Sequence, residues 1–342
     1  MQFLRKILYP FSILYDVVTS VRNFFFDKGV FKSKSYDLPV LAVGNLCVGG
    51  TGKSPMIEYL IRLLKENFQV ATLSRGYRRK SEGFQLGNQT STADDLGDEP
   101  MQFHQKFSDI KVAVDADRQN GISQLVKKVS PDVILLDDAF QHRKVTAGFY
   151  VLLTKFDSLF VDDLILPAGN LRESKRGAKR ADVIIVTKCP KGLSLEEQTK
   201  IRNKLNPLPS QQVFFTRISY AKDVRGNNET KCLTSLNSLS FTLVTGIANP
   251  KPLVQYLNNL NLSFEHISYK DHHNFSDKEL NELSKKQLII TTEKDYMRLK
   301  DSLSNVFYLP IVTEFLNDKD VFDKRVLSLL VIFLRRNRKR GL

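Results

Sequence analysis

A glycine-rich stretch that ends in a lysine and a hydroxyl residue is the feature of this chain with the clearest chemistry. It reads Val48-Gly49-Gly50-Thr51-Gly52-Lys53-Ser54. In a turn between a strand and a helix, such glycines let backbone N–H groups approach phosphates. We therefore predict that Lys53 reaches the terminal phosphates of a nucleoside triphosphate and that Ser54 binds Mg²⁺. The position where the strict motif has its first glycine is Cys47, so the loop is a relaxed P-loop.

Two adjacent carboxylates, Asp137 and Asp138, follow an apolar segment at 133–136. The carboxyl end of a buried parallel strand is where ligands of doubly wound folds bind, and a carboxylate there is the usual second anchor for Mg²⁺. The two residues are predicted to bind the metal together with Ser54. Which of the two contacts the metal directly stays open.

The nucleotide is predicted to be ATP, because both guanine-specific signals fail. A GTPase would carry glycine three residues after the strand-end aspartate, but Phe140 and Gln141 occupy the two candidate positions. The later strand at 183–186 runs into Thr187-Lys188-Cys189-Pro190, which lacks the aspartate that would pair with guanine.

Two clusters offer a base for an incoming hydroxyl, and composition alone does not choose between them. Asp98 and Glu99 lie in a predicted turn at 97–100, while His272 and His273 lie in a predicted loop at 270–275. Phosphoryl transfer needs such a base, together with cations against the developing charge.

Basic and polar residues close to these motifs could hold phosphate or substrate. Arg172 lies in a loop at 170–176 with three positive charges and one negative charge, a composition suited to clamping phosphates. We assign four further residues to substrate contact or to support of the site: Arg75, Glu99, Gln141 and His142.

Alternating strand and helix patterns predict an α/β fold. A buried strand at 38–43 and an amphipathic helix at 55–68 flank the glycine-rich loop, and further strands are predicted at 70–73, 111–114, 133–136, 150–153 and 183–186. Together they form a parallel sheet with helices on both faces. A second, smaller α/β domain has predicted strands at 242–245, 264–267, 288–291 and 306–309, and predicted helices at 252–260 and 277–285.

These elements give a prediction for the domains. Residues 1–30 form a membrane-associated helix, residues 31–215 a P-loop kinase domain completed by a C-terminal helix at 318–342, and residues 216–317 the smaller domain. Two strands, near 214–223 and near 312, are expected to act as the hinge. The active site would then lie in the cleft between the domains.

The N-terminal segment and the net charge point to a membrane surface. Apolar residues at helical spacing within 3–26 are interrupted by charges, and the longest uncharged run is far short of the ~20 residues of a spanning helix. No cleavage site of a secretory signal follows. Docking on the protein's own core is the alternative for this amphipathic helix. The basic run at 335–340 is predicted to be a solvated tail, with headgroup contact as its alternative.

Composition narrows the class of partner. A net charge of +14 indicates an anionic partner, but tryptophan is absent and no basic stretch is interleaved with aromatic residues, so nucleic acid is not the predicted partner. The three cysteines are widely separated, which predicts neither disulfides nor a zinc site and favours a reducing compartment.

The chain resembles the tetraacyldisaccharide 4′-kinase family of lipid A biosynthesis over nearly its whole length. The resemblance rests on the stretch 43–55 around the loop and on six further motifs: Leu73-Ser74-Arg75-Gly76-Tyr77, Gly97-Asp98-Glu99-Pro100, Asp137-Asp138-Ala139-Phe140-Gln141-His142-Arg143, Leu166-Pro167-Ala168-Gly169-Asn170-Leu171-Arg172-Glu173, Asp271-His272-His273 and Thr292-Glu293-Lys294-Asp295. Ala139 replaces the glycine that is common in the family, and Ser54 replaces the usual threonine; both keep the chemistry possible.

This resemblance implies an ATP- and Mg²⁺-dependent enzyme that phosphorylates the 4′-hydroxyl of a tetraacyldisaccharide 1-phosphate. It implies Asp98 as the base, His272 as its partner and Arg172 as a phosphate ligand, with His273 as the alternative to His272. It also implies a membrane-embedded N-terminal helix and an acylated disaccharide taken from the cytoplasmic face of the bacterial inner membrane. We expect a monotopic monomer.

Two other classes of function remain open on the sequence. A P-loop ATPase or GTPase switch of the metal-chaperone type would hydrolyse nucleotide without a lipid acceptor. A non-enzymatic membrane-bound scaffold would bind liposomes without turning over ATP.

Overall fold

The computed structural model describes residue 5 and residues 7–227, 229–271 and 273–340, in two compact units. The first unit comprises the chain up to Ile218 together with the segment from Thr313 onward, and the second is Ser219–Val312. The chain therefore leaves the first unit once and returns to it near the end.

The first unit contains a nine-stranded sheet and most of the helices. Its strands are β1 Val40–Asn45, β2 Val70–Ser74, β3 Gln85–Leu86, β4 Lys111–Val114, β5 Val133–Asp137, β6 Phe149–Lys155, β7 Val183–Thr187 and β8 Gln212–Tyr220, with β15 Ile311–Phe315 as the return strand. Its helices are α1 Tyr9–Asp27, α2 Lys53–Leu64, α3 Ala93–Leu96, α4 Asp98–Lys106, α5 Arg118–Lys128, α6 Leu195–Leu205 and α10 Lys319–Arg340.

The sheet order is β15-β8-β7-β6-β1-β5-β2-β4-β3, and the strands from β8 to β4 pair in parallel. Strand β1 lies between β5 and β6, with Val43 opposite Asp137 and Asn45 opposite Leu153. The chain builds the sheet outward from β1 in two directions. Strands β5, β2 and β4 lie on one side of β1, and strands β6, β7 and β8 lie on the other side. In an open parallel sheet, such a switch point creates a crevice at the carboxyl ends of the strands.

Helices cover both faces of this sheet because successive side chains of a strand point in opposite directions. Leu41 and Val43 pack with α2 and α10, whereas Val40 and Ala42 pack on the opposite face with α5. Burial of β1 on both faces explains its continuous apolar sequence. The predicted parallel sheet with helices on both faces is therefore present.

The second unit is a smaller α/β sheet with the order β10-β9-β14-β13-β11-β12. Its strands are β9 Asp223–Arg225, β10 Thr230–Cys232, β11 Phe241–Thr245, β12 Phe264–Ser268, β13 Ile289–Thr291 and β14 Val306–Tyr308, and its helices are α7 Lys251–Asn259, α8 Asp277–Ser284 and α9 Glu293–Leu299. Asp295 ties two of its parallel strand ends together: the fully buried carboxylate accepts hydrogen bonds from Gly246 N at 2.8 Å and from Thr292 Oγ1 at 2.7 Å.

Several predicted boundaries are wrong by two to four residues. The strand predicted at 38–43 is Val40–Asn45, and the helix predicted at 55–68 begins at Lys53 and ends at Leu64. The helix begins earlier because Gly52, in the left-handed conformation at φ 90°, turns the chain directly into it. Pro55 is then in the first helical turn, where its missing N–H costs nothing.

Helix α1 packs on the first unit with its polar side. The buried residue in this helix is Ser12, whose Oγ accepts a hydrogen bond from Ala168 N at 2.9 Å, while Phe11, Leu14 and Val18 are each more than half exposed. The alternative in which the apolar face docks on the protein core is therefore wrong. Among the described residues, no helix combines the length and apolarity that crossing a bilayer would require.

A glycine in the centre of the sheet gives a test of this packing. A Cβ on Gly44 would lie 2.6 Å from Phe140 Cβ and 2.9 Å from Phe140 N, so Gly44→Ala forces backbone of β1 away from the segment after β5. We expect a loss of about 1–3 kcal/mol in the free energy of unfolding, measured by urea denaturation.

The matched control is Gly192→Ala, at an exposed glycine with open space around the added methyl group. It should change the free energy of unfolding by less than about 0.5 kcal/mol. Equal stabilities for the two variants would contradict the close approach of β1 to Phe140.

Candidate functional site

The glycine-rich loop connects β1 to α2 at the switch point of the large sheet. Gly49 and Gly52 have φ angles of 99° and 90°, a region that side chains with a Cβ rarely adopt. Asn45 at the end of β1 donates from Nδ2 to Thr51 Oγ1 at 2.8 Å, which fixes the middle of the loop. Burial raises the pKa of the Cys47 thiol to about 11, so this residue is a neutral part of the packing beneath the loop.

The end of β7 holds the other side of the loop, which the sequence analysis missed. Thr187 Oγ1 donates to Thr51 O at 2.8 Å, and Lys188 Nζ donates to Gly50 O at 2.7 Å. In the sequence, these two residues stand out only as part of an incomplete guanine-binding motif. Their parallel strand lies two positions from β1, and that placement is what brings them to the loop.

Asp138 pairs with both Lys53 and Arg172, the two cations that are predicted to bind phosphates. Arg172 Nη1 lies 3.0 Å from both carboxylate oxygens of Asp138, and Lys53 Nζ lies 3.6 Å from Oδ1. Asp138 itself has φ 47°, a conformation that aspartate tolerates better than most residues. The carboxylate thus holds Lys53 and Arg172 in neighbouring positions at the carboxyl edge of the sheet.

Asp137 is the buried member of the predicted metal-binding pair. Its Oδ2 accepts a hydrogen bond from Ser74 Oγ at 3.4 Å, while its buried Oδ1 has no hydrogen-bond partner in the described part of the chain. Burial, and then the charges of Glu99 and Asp138, raise the pKa of Asp137 above its usual range. A carboxylate with an orphaned buried oxygen is the arrangement that a cation would stabilise.

The N-terminus of α4 lies beside the N-terminus of α2. Ser54 Oγ donates to Glu99 Oε1 at 3.2 Å, so the predicted metal ligand and the predicted acidic cluster are neighbours. The predicted turn at 97–100 is wrong, because Asp98 and Glu99 open helix α4. Gly97 makes this possible: its φ is 88°, and a Cβ there would lie 3.0 Å from Tyr77 O.

Glu173 is a buried carboxylate that accepts hydrogen bonds from three side chains, and the sequence alone did not indicate a role for it. Its carboxylate accepts hydrogen bonds from Arg180 Nη2 at 2.7 Å, Asn23 Nδ2 at 2.7 Å and Gln141 Nε2 at 3.1 Å. Gln141 Nε2 also donates to Asn45 O at 2.8 Å. These donors stabilise the buried carboxylate. As a result, α1, the end of β1 and the loop after Arg172 are joined at one point.

The remaining predicted residues of the first unit differ in exposure. Arg75 follows β2 and is exposed. His142 is half-buried, its Nε2 has no hydrogen-bond partner among the described residues, and burial, followed by the Arg118 charge, lowers its pKa to about 4. Arg118 was missed: this buried guanidinium donates from Nη2 to Asp137 O at 3.4 Å, and burial lowers its pKa to about 10.

Of the two candidate histidines, the structure describes His273, which belongs to the second unit. His272 lies outside the described residues. His273 stacks on Tyr269 with ring centroids 4.6 Å apart, and its Nε2 is 3.0 Å from Glu279 Oε1. Hydrogen bonds from Ser276, and then the His273 ring, hold the pKa of Glu279 at about 2. His273 is therefore already engaged in ring stacking and in a hydrogen bond with Glu279 within its own unit.

Comparisons of the sequence and of the structure with known proteins all match this chain to the same family of kinases. A sequence model of the family described as tetraacyldisaccharide-1-P 4′-kinase matches residues 4–331. The chain is 57% identical to a tetraacyldisaccharide 4′-kinase from Flavobacterium johnsoniae, covering 96% of this chain and 98% of the relative. The chain belongs to the tetraacyldisaccharide 4′-kinase family.

More distant members of this kinase family agree. The tetraacyldisaccharide 4′-kinase from Bacteroides thetaiotaomicron is 42% identical, with 95% of this chain and 93% of the relative covered. The crystal structure of LpxK from Aquifex aeolicus in complex with ATP superposes with a TM-score of 0.80 at 30% identity, covering 96% of this chain and 99% of that chain. The mixed α/β fold with its large parallel sheet is thus shared with a solved kinase of the family.

The half-buried His142 gives a test of the electrostatics on this side of the sheet. Its ring binds a proton near pH 6.5 when the chain is unfolded but only near pH 4 when folded, so acid favours the unfolded state between those values. The wild type should therefore lose stability as the pH falls from about 6.5 to about 4, and His142→Gln should lose less. At about 1.4 kcal/mol per pKa unit, the difference has an upper limit of about 3 kcal/mol.

Denaturant unfolding of both proteins at a series of pH values checks this. At pH 8 both side chains are neutral, and the difference measured there is the reference for the rest of the series. Stability curves that stay parallel down to pH 4 would contradict the lowered pKa of the half-buried His142 ring.

Proposed function

We propose that this chain is the ATP-dependent kinase that phosphorylates the 4′-hydroxyl of a tetraacyldisaccharide 1-phosphate. The observation that carries this is the convergence of Lys53, Ser54, Asp137, Asp138 and Arg172 at the carboxyl edge of a parallel sheet, in a chain of this family. The loop at 49–54 is then a P-loop, with Gly49, Gly50, Thr51 and Gly52 presenting backbone to the phosphates.

Lys53 and Arg172 are proposed to hold the phosphates of ATP. Both cations pair with the single carboxylate of Asp138, which leaves one net positive charge in the group. A bound triphosphate competes for them with more negative charge, and it places the cations against the charge that spreads over the γ-phosphoryl oxygens in the transition state. Thr187 and Lys188 support this by holding the carbonyl groups of Thr51 and Gly50.

Mg²⁺ is proposed to be held by Ser54, Asp137 and Asp138, whose hard oxygen atoms suit this ion. The orphaned Oδ1 of Asp137 and the neighbouring Glu99 and Asp138 carboxylates create a local excess of negative charge that fits a divalent cation. When bound, the ion neutralises charge on the β- and γ-phosphates. The Ser54 hydroxyl can ligate the ion through an oxygen lone pair while its proton stays hydrogen-bonded to Glu99 Oε1.

Asp98 is proposed to take the proton of the 4′-hydroxyl. The hydroxyl oxygen forms its bond to the γ-phosphorus, the bond from that phosphorus to the β–γ bridging oxygen breaks, and ADP leaves. The support is positional: Asp98 begins α4, and the next residue contacts Ser54. His272 is proposed to pair with Asp98, and the engagement of His273 with Glu279 favours His272 over its neighbour. Arg75, Glu99, Gln141 and His142 are proposed to contact or support the substrate.

Helix α1 is proposed to lie in the surface of the membrane that contains the lipid substrate. It contacts the first unit through Ser12, Tyr15 and Asn23, while Phe11, Leu14, Val18 and Phe24 are exposed. Exposed apolar groups in such number have a large cost in water, which a bilayer interface removes. We place the enzyme as a monotopic monomer on the cytoplasmic face of the bacterial inner membrane.

The two alternative functions, a nucleotide-hydrolysing switch and a non-enzymatic membrane scaffold, are less well supported than the kinase. Family membership favours a kinase over a scaffold without turnover, and the ATP complex of the related LpxK favours ATP over GTP. A switch that only hydrolyses nucleotide would also leave the exposed face of α1 without a role.

A phosphoryl-transfer assay with purified full-length protein tests the function directly. The protein is mixed with ATP and tetraacyldisaccharide 1-phosphate in detergent micelles, and mass spectrometry follows the addition of one phosphate to the lipid. Lys53→Met should lower the rate on the order of 100-fold or more, because it removes a cation from the transition state.

The matched control is Lys65→Met, which changes a lysine at the opposite end of α2 where Nζ contacts Asp109. It should retain wild-type activity. ATP hydrolysis without lipid phosphorylation would identify a switch or ATPase, and the absence of any ATP turnover would favour a scaffold. Either result would overturn the proposal.

The role of Asp98 is tested by separating turnover from binding. Asp98→Asn should lower kcat by a factor on the order of 100 to 10,000, as expected for loss of a general base, while the KM for ATP stays within about threefold. Steady-state kinetics with varied ATP at saturating lipid give both constants. A large rise in the KM for ATP with kcat unchanged would instead make Asp98 a nucleotide ligand.

A further inference from the structure

Helix α10 continues beyond the part that packs on the first unit. One side of it is fully buried through residues four apart, Phe322, Val326 and Leu330. The ring of Phe333 then lies against Gly148, 3.1 Å from the position that a Cβ would take. The helix continues to Arg340, about 10 Å further at 1.5 Å per residue. Residues 335–340 include no apolar residue, so packing on the core does not explain these turns.

The end of α10 has the composition of an element at a membrane surface. Seven cations and no acid lie between residues 324 and 342, and five of the cations lie within 335–340. Directly before this run, Val331 and Ile332 are 41% and 50% exposed. Exposed apolar side chains followed by arginine and lysine fit a bilayer interface, where the apolar groups meet acyl chains and the cations meet phosphates.

The structure also places this helix end close to the segment that leaves α1. Gly148, under Phe333, is two residues from Thr146, whose N–H donates to Lys34 O at 2.9 Å. The segment between α1 and Lys34 exposes Val30 and Phe31 and carries Lys28 and Lys32. Two elements that combine apolar side chains with cations therefore approach the same loop of the first unit.

We propose that residues 335–340 bind anionic phospholipid headgroups and form a second membrane contact of this protein. The proposal rests on the proposed location of α1 in the membrane surface. The apolar pair Val331 and Ile332 favours a bilayer over nucleic acid, which would gain nothing from burying aliphatic side chains. The second contact fixes the rotation of the first unit about α1, so that the enzyme meets the bilayer in one orientation.

Vesicle binding by the full-length protein tests this. Co-sedimentation is measured with phosphatidylcholine vesicles and with mixed phosphatidylcholine–phosphatidylglycerol vesicles. The tail variant carries five changes: Arg335→Gln, Arg336→Gln, Arg338→Gln, Lys339→Gln and Arg340→Gln. It should bind the mixed vesicles at least about tenfold more weakly than the wild type, because each cation near an anionic surface adds to binding. Binding to phosphatidylcholine and phosphorylation of micellar lipid should be unchanged.

A charge-matched control and an α1 variant make the result specific. The control replaces five exposed lysines elsewhere by glutamine: Lys80, Lys127, Lys191, Lys200 and Lys204. It should bind the mixed vesicles like the wild type. The α1 variant, with Phe11→Ser, Leu14→Ser and Val18→Ser, should lose binding to both kinds of vesicle, which tests the membrane role of α1 separately from the tail.

Three results would overturn the second contact. The tail variant could bind mixed vesicles as tightly as the wild type, or the control could lose as much affinity, which would make net charge the cause. The tail changes could also weaken binding of a labelled oligonucleotide while vesicle binding stays the same, which would assign the run to nucleic acid. A wild-type protein that binds neither kind of vesicle would refute the α1 location and the tail contact together.

Discussion

The carboxylate of Asp138 connects three segments of the first unit that are far apart in sequence. It follows β5, and it pairs with Lys53 at the start of α2 and with Arg172 in the loop before β7. Without it, two cations beside a glycine-rich loop would repel each other and the loop would have no fixed charge to hold them. The position of the carboxylate is set by the sheet, because β5 is the parallel neighbour of β1.

The order of the strands also explains why the glycine-rich loop is held by hydrogen bonds from two different strands, β1 and β7. Asn45, at the end of β1, donates a hydrogen bond to the Thr51 side chain, and Thr187, at the end of β7, donates one to the Thr51 carbonyl. These two contacts come from the carboxyl ends of parallel strands, and Asn170 O adds a third by accepting a hydrogen bond from Val48 N at 2.8 Å. The loop is preorganised by backbone and side-chain hydrogen bonds that a bound nucleotide need not create, which lowers the cost of binding.

Glu173 extends this arrangement to helix α1. Its carboxylate accepts from Gln141, which also contacts the end of β1, and from Asn23 of α1. Through one buried group, the helix proposed to lie in the membrane is joined to the strand that leads into the loop. This linkage gives the polar face of α1 its partners inside the protein and leaves its apolar face exposed.

The sequence by itself determined the parts of this protein that are local. The glycine-rich loop, the strand that ends at Asp137 and Asp138, and most strand positions follow from residue type and period, since these depend on neighbours along the chain. The family resemblance supplied the candidate roles of Asp98 and His272. Tertiary structure decided what the spacing of apolar residues along the chain leaves open, namely which partner each face of a helix contacts. The spacing of α1 shows which residues share a face but not whether core or lipid meets it, and only the contacts of Ser12 and Asn23 turn the apolar face outward. The roles of Thr187, Lys188 and Glu173 could not be predicted, because most of their partners lie between 32 and 150 residues away along the chain and only the fold brings them together.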